Sequence, residues 1–107
     1  MTLPEFINFI QSMNRKESCI GECFEQIMVL YWILHRYFTE DNVVIQFDST
    51  RKHNGVCKFK ITPVGNFTAD LIYEVYHSIM VSMYHNTFNL STNLKKNGTI
   101  VVTIQRL

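Results

Sequence analysis

Two short runs of strict alternation constrain this chain more than anything else in it. In residues 42–49, Val43, Ile45 and Phe47 point one way, and Val44, Gln46 and Asp48 the other. In residues 57–62, Cys57, Phe59 and Ile61 alternate with Lys58, Lys60 and Thr62. A period of two is the mark of a strand with one wet face. The polar stretch Thr50 to Gly55 between the runs reads as a turn, so together they form an antiparallel hairpin. Matching the core faces sets Phe47 opposite Phe59 and Ile45 opposite Ile61. The same register places Asp48 opposite Lys58, an opposite-charge pair worth roughly 0.2–1 kcal/mol.

The C-terminal stretch repeats the pattern. Residues 99–105 alternate, and Lys96-Asn97-Gly98 suits a three-residue loop with Gly98 in the left-handed position that closes a bulge. That loop sets Leu94 opposite Ile100, Thr92 opposite Val102 and Leu90 opposite Ile104. A two-residue Asn97-Gly98 turn would instead set Leu90 and Leu94 across from Gln105 and Val101, which mismatches the core face.

The remaining segments read as helices. Thr2-Leu3-Pro4-Glu5 is a capping box, followed by Phe6, Phe9, Ile10 and Met13 at helical spacing, giving a helix from about Leu3 to Met13. Asn14-Arg15-Lys16-Glu17 is a second such box and is expected to open a longer helix reaching about Phe38. Within it, Ile27 to Leu34 is apolar all round, so burial on more than one side is expected. Thr68 is the N-cap of a third helix, with Asp70 in its first turn, running to about His85. That helix carries two apolar stripes: Ile72, Val75, Ile79 and Met83, and Tyr73, Tyr76, Met80 and Tyr84. The expected fold is α+β, one domain over residues 1–107. Two N-terminal helices precede β-β-α-β-β, and the helices pack on one face of a four-stranded antiparallel sheet.

A chain of 107 residues can bury about two thirds of the surface it exposes unfolded, so neither disulfides nor a metal is needed to hold it. The cysteines Cys19, Cys23 and Cys57 are odd in number and suggest no disulfide framework. Cys19 and Cys23 share a helix face but lack the second ligand pair of a structural zinc site, so no metal or other cofactor is expected. The first thirteen residues lack the basic start and cleavage site of a secretory signal. The longest apolar run, Ile27 to Leu34, is too short to span a bilayer. An intracellular location, cytoplasmic or nuclear, is therefore expected. The three matches to the N-glycosylation pattern, at Asn66, Asn89 and Asn97, read as products of an Asn-, Ser- and Thr-rich composition. Abundant Asn, Ile, Tyr and Met with few Gly and Ala also suggest AT-rich coding, common in viruses and some eukaryotes.

No motif names a chemistry. Gly21, Gly55, Gly65 and Gly98 are isolated, so no phosphate-cradling loop is present. Among His35, His53, His77 and His85, only the last two share an element, two turns apart. No carboxylate pair can be named, and an enzyme is the third-ranked reading. The net charge of +1 supplies no global attraction to nucleic acid. A local patch could form from Arg51, Lys52, Lys58 and Lys60 on the first hairpin with Lys95 and Lys96 on the second. No aromatic interleaves with these lysines, so binding of nucleic acid through them is the second reading.

The leading reading rests on surplus aromatic surface: eight Phe, five Tyr and one Trp in a small chain. Tyr73, Tyr76, Met80 and Tyr84 on one helix and Tyr31 and Trp32 on another are types enriched at interface cores. A four-stranded sheet covers only one side of each helix. The expected function is therefore a small non-enzymatic interaction module, an adaptor or regulatory subunit that binds another protein and pairs with itself as a homodimer. The second stripe is expected to meet either the Tyr31–Trp32 region or a second molecule.

Overall fold

The computed structural model describes residues 1–13, 23–51, 56–83 and 88–106. Three helices and four strands follow in the order α1 (Leu3–Met13), α2 (Phe24–Tyr37), β1 (Val43–Arg51), β2 (Val56–Pro63), α3 (Ala69–Ser82), β3 (Phe88–Leu94) and β4 (Ile100–Arg106). The strands form one antiparallel sheet in the order β1-β2-β4-β3. This is the expected α+β arrangement, with the second hairpin joined to the first through β4.

The registers are those that core matching requires. Ile45 pairs with Ile61, Phe47 with Phe59 and Asp48 with Lys58. Leu94 pairs with Ile100, Thr92 with Val102 and Leu90 with Ile104. Between the hairpins, Phe59 meets Val102 and Cys57 meets Ile104. The β3–β4 turn has the three-residue form: Lys95 N–H donates to Thr99 O at 2.8 Å and Gly98 N–H to Lys95 O at 3.0 Å. Gly98 takes φ +90°, which a residue with a Cβ adopts only at a steric penalty.

One sheet face carries the core. Ile45, Phe59, Ile61, Ile100, Val102 and Ile104 are fully enclosed beneath Phe6, Ile10, Ile27, Leu30, Leu34, Val75 and Ile79. Phe59 sits at the centre of an aromatic group: Phe6 meets it edge-on at 5.5 Å and Phe47 lies 5.0 Å away, itself 4.9 Å from Phe9. The opposite face is mostly polar, with Gln46, Lys58, Lys60, Asn89, Ser91, Asn93 and Gln105 in water beside an exposed Val44. Val101 is an exception: it lies on that face, between Lys60 and Asn93 in the pairing, yet is almost fully covered. Long neighbouring side chains bury a β-branched residue in the middle of a sheet without any second layer.

The helix ends are set as the capping chemistry dictates. Thr2 N–H donates to Glu5 Oε1 at 2.9 Å and Glu5 N–H to Thr2 Oγ1 at 3.4 Å, the reciprocal pattern of a capping box. The Thr2 main-chain N–H on its oxygen, and after it the Thr2 hydroxyl, hold the Glu5 carboxyl below its usual pKa. Thr68 Oγ1 accepts from Leu71 N–H at 3.1 Å at the start of α3.

Two helix limits differ from expectation. The second helix does not run unbroken from Asn14 to Phe38, because Cys23 has φ −106° and ψ 17° and the helix starts at Phe24. Cys23 is buried four residues before Ile27, so the apolar spacing runs on through the break and conceals it. The Asn14–Glu17 box lies outside the described residues. The third helix ends at Ser82 rather than near His85, because Met83 turns to an extended conformation (φ −89°, ψ 119°). Met83 stays buried as it leaves the helix, so periodicity alone cannot see the exit.

Candidate interaction surface

The core is complete without several large apolar side chains. On α2, Ile27, Leu30, Ile33 and Leu34 are buried, whereas Val29 and Trp32 face water, Trp32 at 57% exposure. The Ile27–Leu34 segment is thus covered on all but one line, which runs along the outside of the helix. Burial on more than one side is as the apolar run leads one to expect; the outer line of Val29 and Trp32 is what stays open. On α3, Ile72, Val75 and Ile79 are buried under the helix, and Tyr73 (58%), Met80 (43%) and Val81 (65%) project outward.

The two outer lines are separate. Tyr37 Oη of α2 lies 3.3 Å from Ser78 Oγ of α3, so Ser78 marks the flank of α3 that faces α2. At about 100° per residue, Tyr73, Tyr76 and Met80 stand roughly 140–160° around the helix from Ser78. They occupy the flank turned away from α2. Because α3 packs on α2 and on β3, which ends the sheet, that flank is turned to the β3 side of the molecule. The alternative in which this stripe meets Tyr31 and Trp32 inside the same chain does not occur among the described residues.

Each line has its own aromatic grouping. Tyr31 packs on Phe6 at 6.4 Å, and Trp32 meets Tyr31 at 5.2 Å and His35 at 5.7 Å. Tyr73 lies 5.8 Å from Tyr76, which is half-buried against the core, and stacks on His77 at 6.4 Å with rings 7° apart. Tyr84 lies outside the described residues. Val29 and Val81 were not singled out in the sequence. Val29 belongs to the Ile27–Leu34 run, which is apolar all round and so gives no sign of which side stays open, whereas Val81 interrupts the polar side of α3 with a β-branched apolar residue.

The basic residues are spread over two places. Lys58 and Lys60 are exposed on the polar sheet face, which carries no aromatic side chain among the described residues. Arg51 ends β1, and Lys52 lies outside the described residues. Lys95 and Lys96 stand in the β3–β4 turn at the rim of a cavity of about 310 Å³ walled by Pro63, Phe67, Ala69, Ile72 and Leu94. That cavity offers apolar contact beside two lysines, and among the described residues no His, Cys, Ser or carboxylate lines it.

Cys23 and Cys57 are buried thiols, and Cys19 lies outside the described residues. Among the described residues, no three His, Cys, Asp or Glu side chains come together as metal ligands. No buried side-chain polar atom among them lacks a hydrogen-bond partner. Nor is any described helix long and apolar enough to cross a membrane. Comparison with protein-family models, with curated proteins and with solved structures finds no match.

Proposed function

We propose that this chain is a small non-enzymatic protein-interaction module that pairs with itself and binds a second protein as an adaptor or regulatory subunit. One observation supports the reading: Tyr73, Met80 and Val81 on α3, and Trp32 and Val29 on α2, are held in water over a core that closes without them. Exposed apolar side chains gathered along a helix mark interaction sites more often than single scattered ones do. Tyr, Trp and Met are also enriched at interfaces, and Tyr and Trp are among the types that carry most of the binding energy there. Two outer lines on different helices suit an adaptor, because one can hold a copy of the chain while the other stays open to a partner.

Sedimentation across the micromolar range tests the self-association. The wild-type chain is expected to run as a dimer, the commonest symmetric assembly. Tyr73→Asp combined with Met80→Asp should leave the circular dichroism of the fold unchanged and yield a monomer. A wild-type chain that remains monomeric throughout that range would remove the self-association from the reading.

A further inference from the structure

Resting on the self-association reading, we propose that two copies join through their β3 strands, antiparallel about a twofold axis at Ser91, fusing two four-stranded sheets into one. The two edges of the sheet are unlike. Along β1, Met1 N donates to Ile45 O at 2.6 Å, and Ile45 N–H donates back to Met1 O at 2.8 Å. The pairing of β1 also shifts between Asp48 and Arg51. A covered main chain and a bulge are both devices that block edge pairing.

Strand β3 has neither. Its seven residues pair with β4 in unbroken register and include no charge and no proline. Among the described residues, no main chain lies against its outer side.

The phase of the hydrogen bonds fixes which groups face outward. The bond from Lys95 N–H to Thr99 O makes that pair a hydrogen-bonded one. Alternation along an antiparallel ladder then turns the main-chain groups of Asn89, Ser91 and Asn93 towards β4. Those of Leu90, Thr92 and Leu94 point to the open edge.

About Ser91 the sequence of β3, Phe-Asn-Leu-Ser-Thr-Asn-Leu, sets one identical pair, Asn89 and Asn93, and one apolar pair at the ends, Phe88 and Leu94. Antiparallel pairing centred there sets Asn89 against Asn93 of the copy, and Leu90 against Thr92. Leu90 and Thr92 are the residues whose N–H and C=O already face outward, so each such pair closes two bonds. No other centre pairs all seven residues. The neutrality of β3 means that a copy brings no like charge opposite its own.

The same twofold operation acts on the helices. Both α3 helices lie on the same face of the joined sheet, with the Tyr73–Met80 flanks turned towards each other over the two β3 strands. Leu90 and Leu94, half-buried in one copy, become interior positions of the wider sheet. One operation thus covers both the open edge and the exposed flank.

Cysteine cross-linking and a proline substitution test the pairing. At Ser91 the two copies form a non-hydrogen-bonded pair with Cα atoms about 4.5 Å apart, within disulfide reach. Ser91→Cys should form a covalent dimer under mild oxidation, with the wild-type chain as control for its own thiols. Asn93→Cys alone should not cross-link, but mixed with Asn89→Cys it should.

Thr92→Pro removes only an outward N–H, so the β3–β4 ladder survives. It should give a folded chain whose dimer dissociation constant rises by roughly 100-fold or more, two main-chain bonds being lost across the axis. If Thr92→Pro does not fold, the cross-linking pattern decides alone. A dimer that persists with Ser91→Cys uncross-linked overturns the strand pairing and leaves self-association standing. Cross-linking at Ser91 without the Asn89/Asn93 mixture overturns the register. A monomeric wild-type chain overturns both.

Discussion

Phe59 shows how much one side chain can carry in a chain of this size. Its ring has no exposure and touches Phe6 from α1 and Phe47 from the neighbouring strand. Phe59→Ala should destabilise the fold by about 3–5 kcal/mol, read as a lower urea midpoint at unchanged slope. Phe47→Ala should do less, because that ring is half-buried. Glu5 makes a different kind of contribution. Its folded carboxyl is held below the usual value by the Thr2 bonds, so the unfolded chain takes up a proton first as pH falls. The stability it adds is therefore present above the ordinary glutamate range and disappears as pH drops through the depressed folded value. Urea midpoints of wild type and Glu5→Gln, measured from neutral to acid pH, should converge at the acid end. Parallel curves would show that the charge on Glu5 does not act through the helix start.

At the scale of the element, termini and turns do the specifying. Thr68 caps α3 through a single hydroxyl, and Thr68→Ala should lower stability by about 0.5–2 kcal/mol. Gly98 holds the β3–β4 loop at φ +90°, with no atom within 4 Å of the place its Cβ would occupy. Gly98→Ala should thus be destabilising by about 1–2 kcal/mol through backbone strain alone. Gly98→Asn should be milder, since Asn tolerates the left-handed region. Thermal unfolding of the three chains checks the order; an alanine chain as stable as wild type would contradict the turn geometry.

For the whole molecule, stability and surface chemistry separate. Trp32 is the single tryptophan of the chain and stands on the outside of α2. Trp32→Ala should change stability by less than about 1 kcal/mol, since substitutions on the surface seldom change it further. Its fluorescence should report an indole in water, moving to shorter wavelength when a second protein covers α2. An unchanged emission on complex formation would place the partner elsewhere. A polar sheet face, a closed core and two outer helix lines divide the surface into regions that can be changed one at a time.

What the sequence determined by itself was local and periodic. Alternation in residues 43–48 and 57–62 fixes both strands and their register, because a slip of one residue would turn Phe47 and Phe59 into water. The loop at Lys96–Gly98 fixes the second hairpin for the same reason. The Thr2 and Thr68 caps mark helix starts because a hydroxyl three residues from a main-chain N–H needs no tertiary help. The helix limits at Phe24 and Ser82 were not legible, since buried Cys23 and Met83 keep the apolar spacing on both sides of each break. Tertiary structure alone decided which hairpin strands meet, placing β4 beside β2 and leaving β3 at the edge. It also decided that Ser78, rather than the Tyr73–Met80 stripe, faces α2. Periodicity defines how wide an apolar face is. Which part of that width is covered depends on where the neighbouring elements lie, and that follows from packing the whole chain at once.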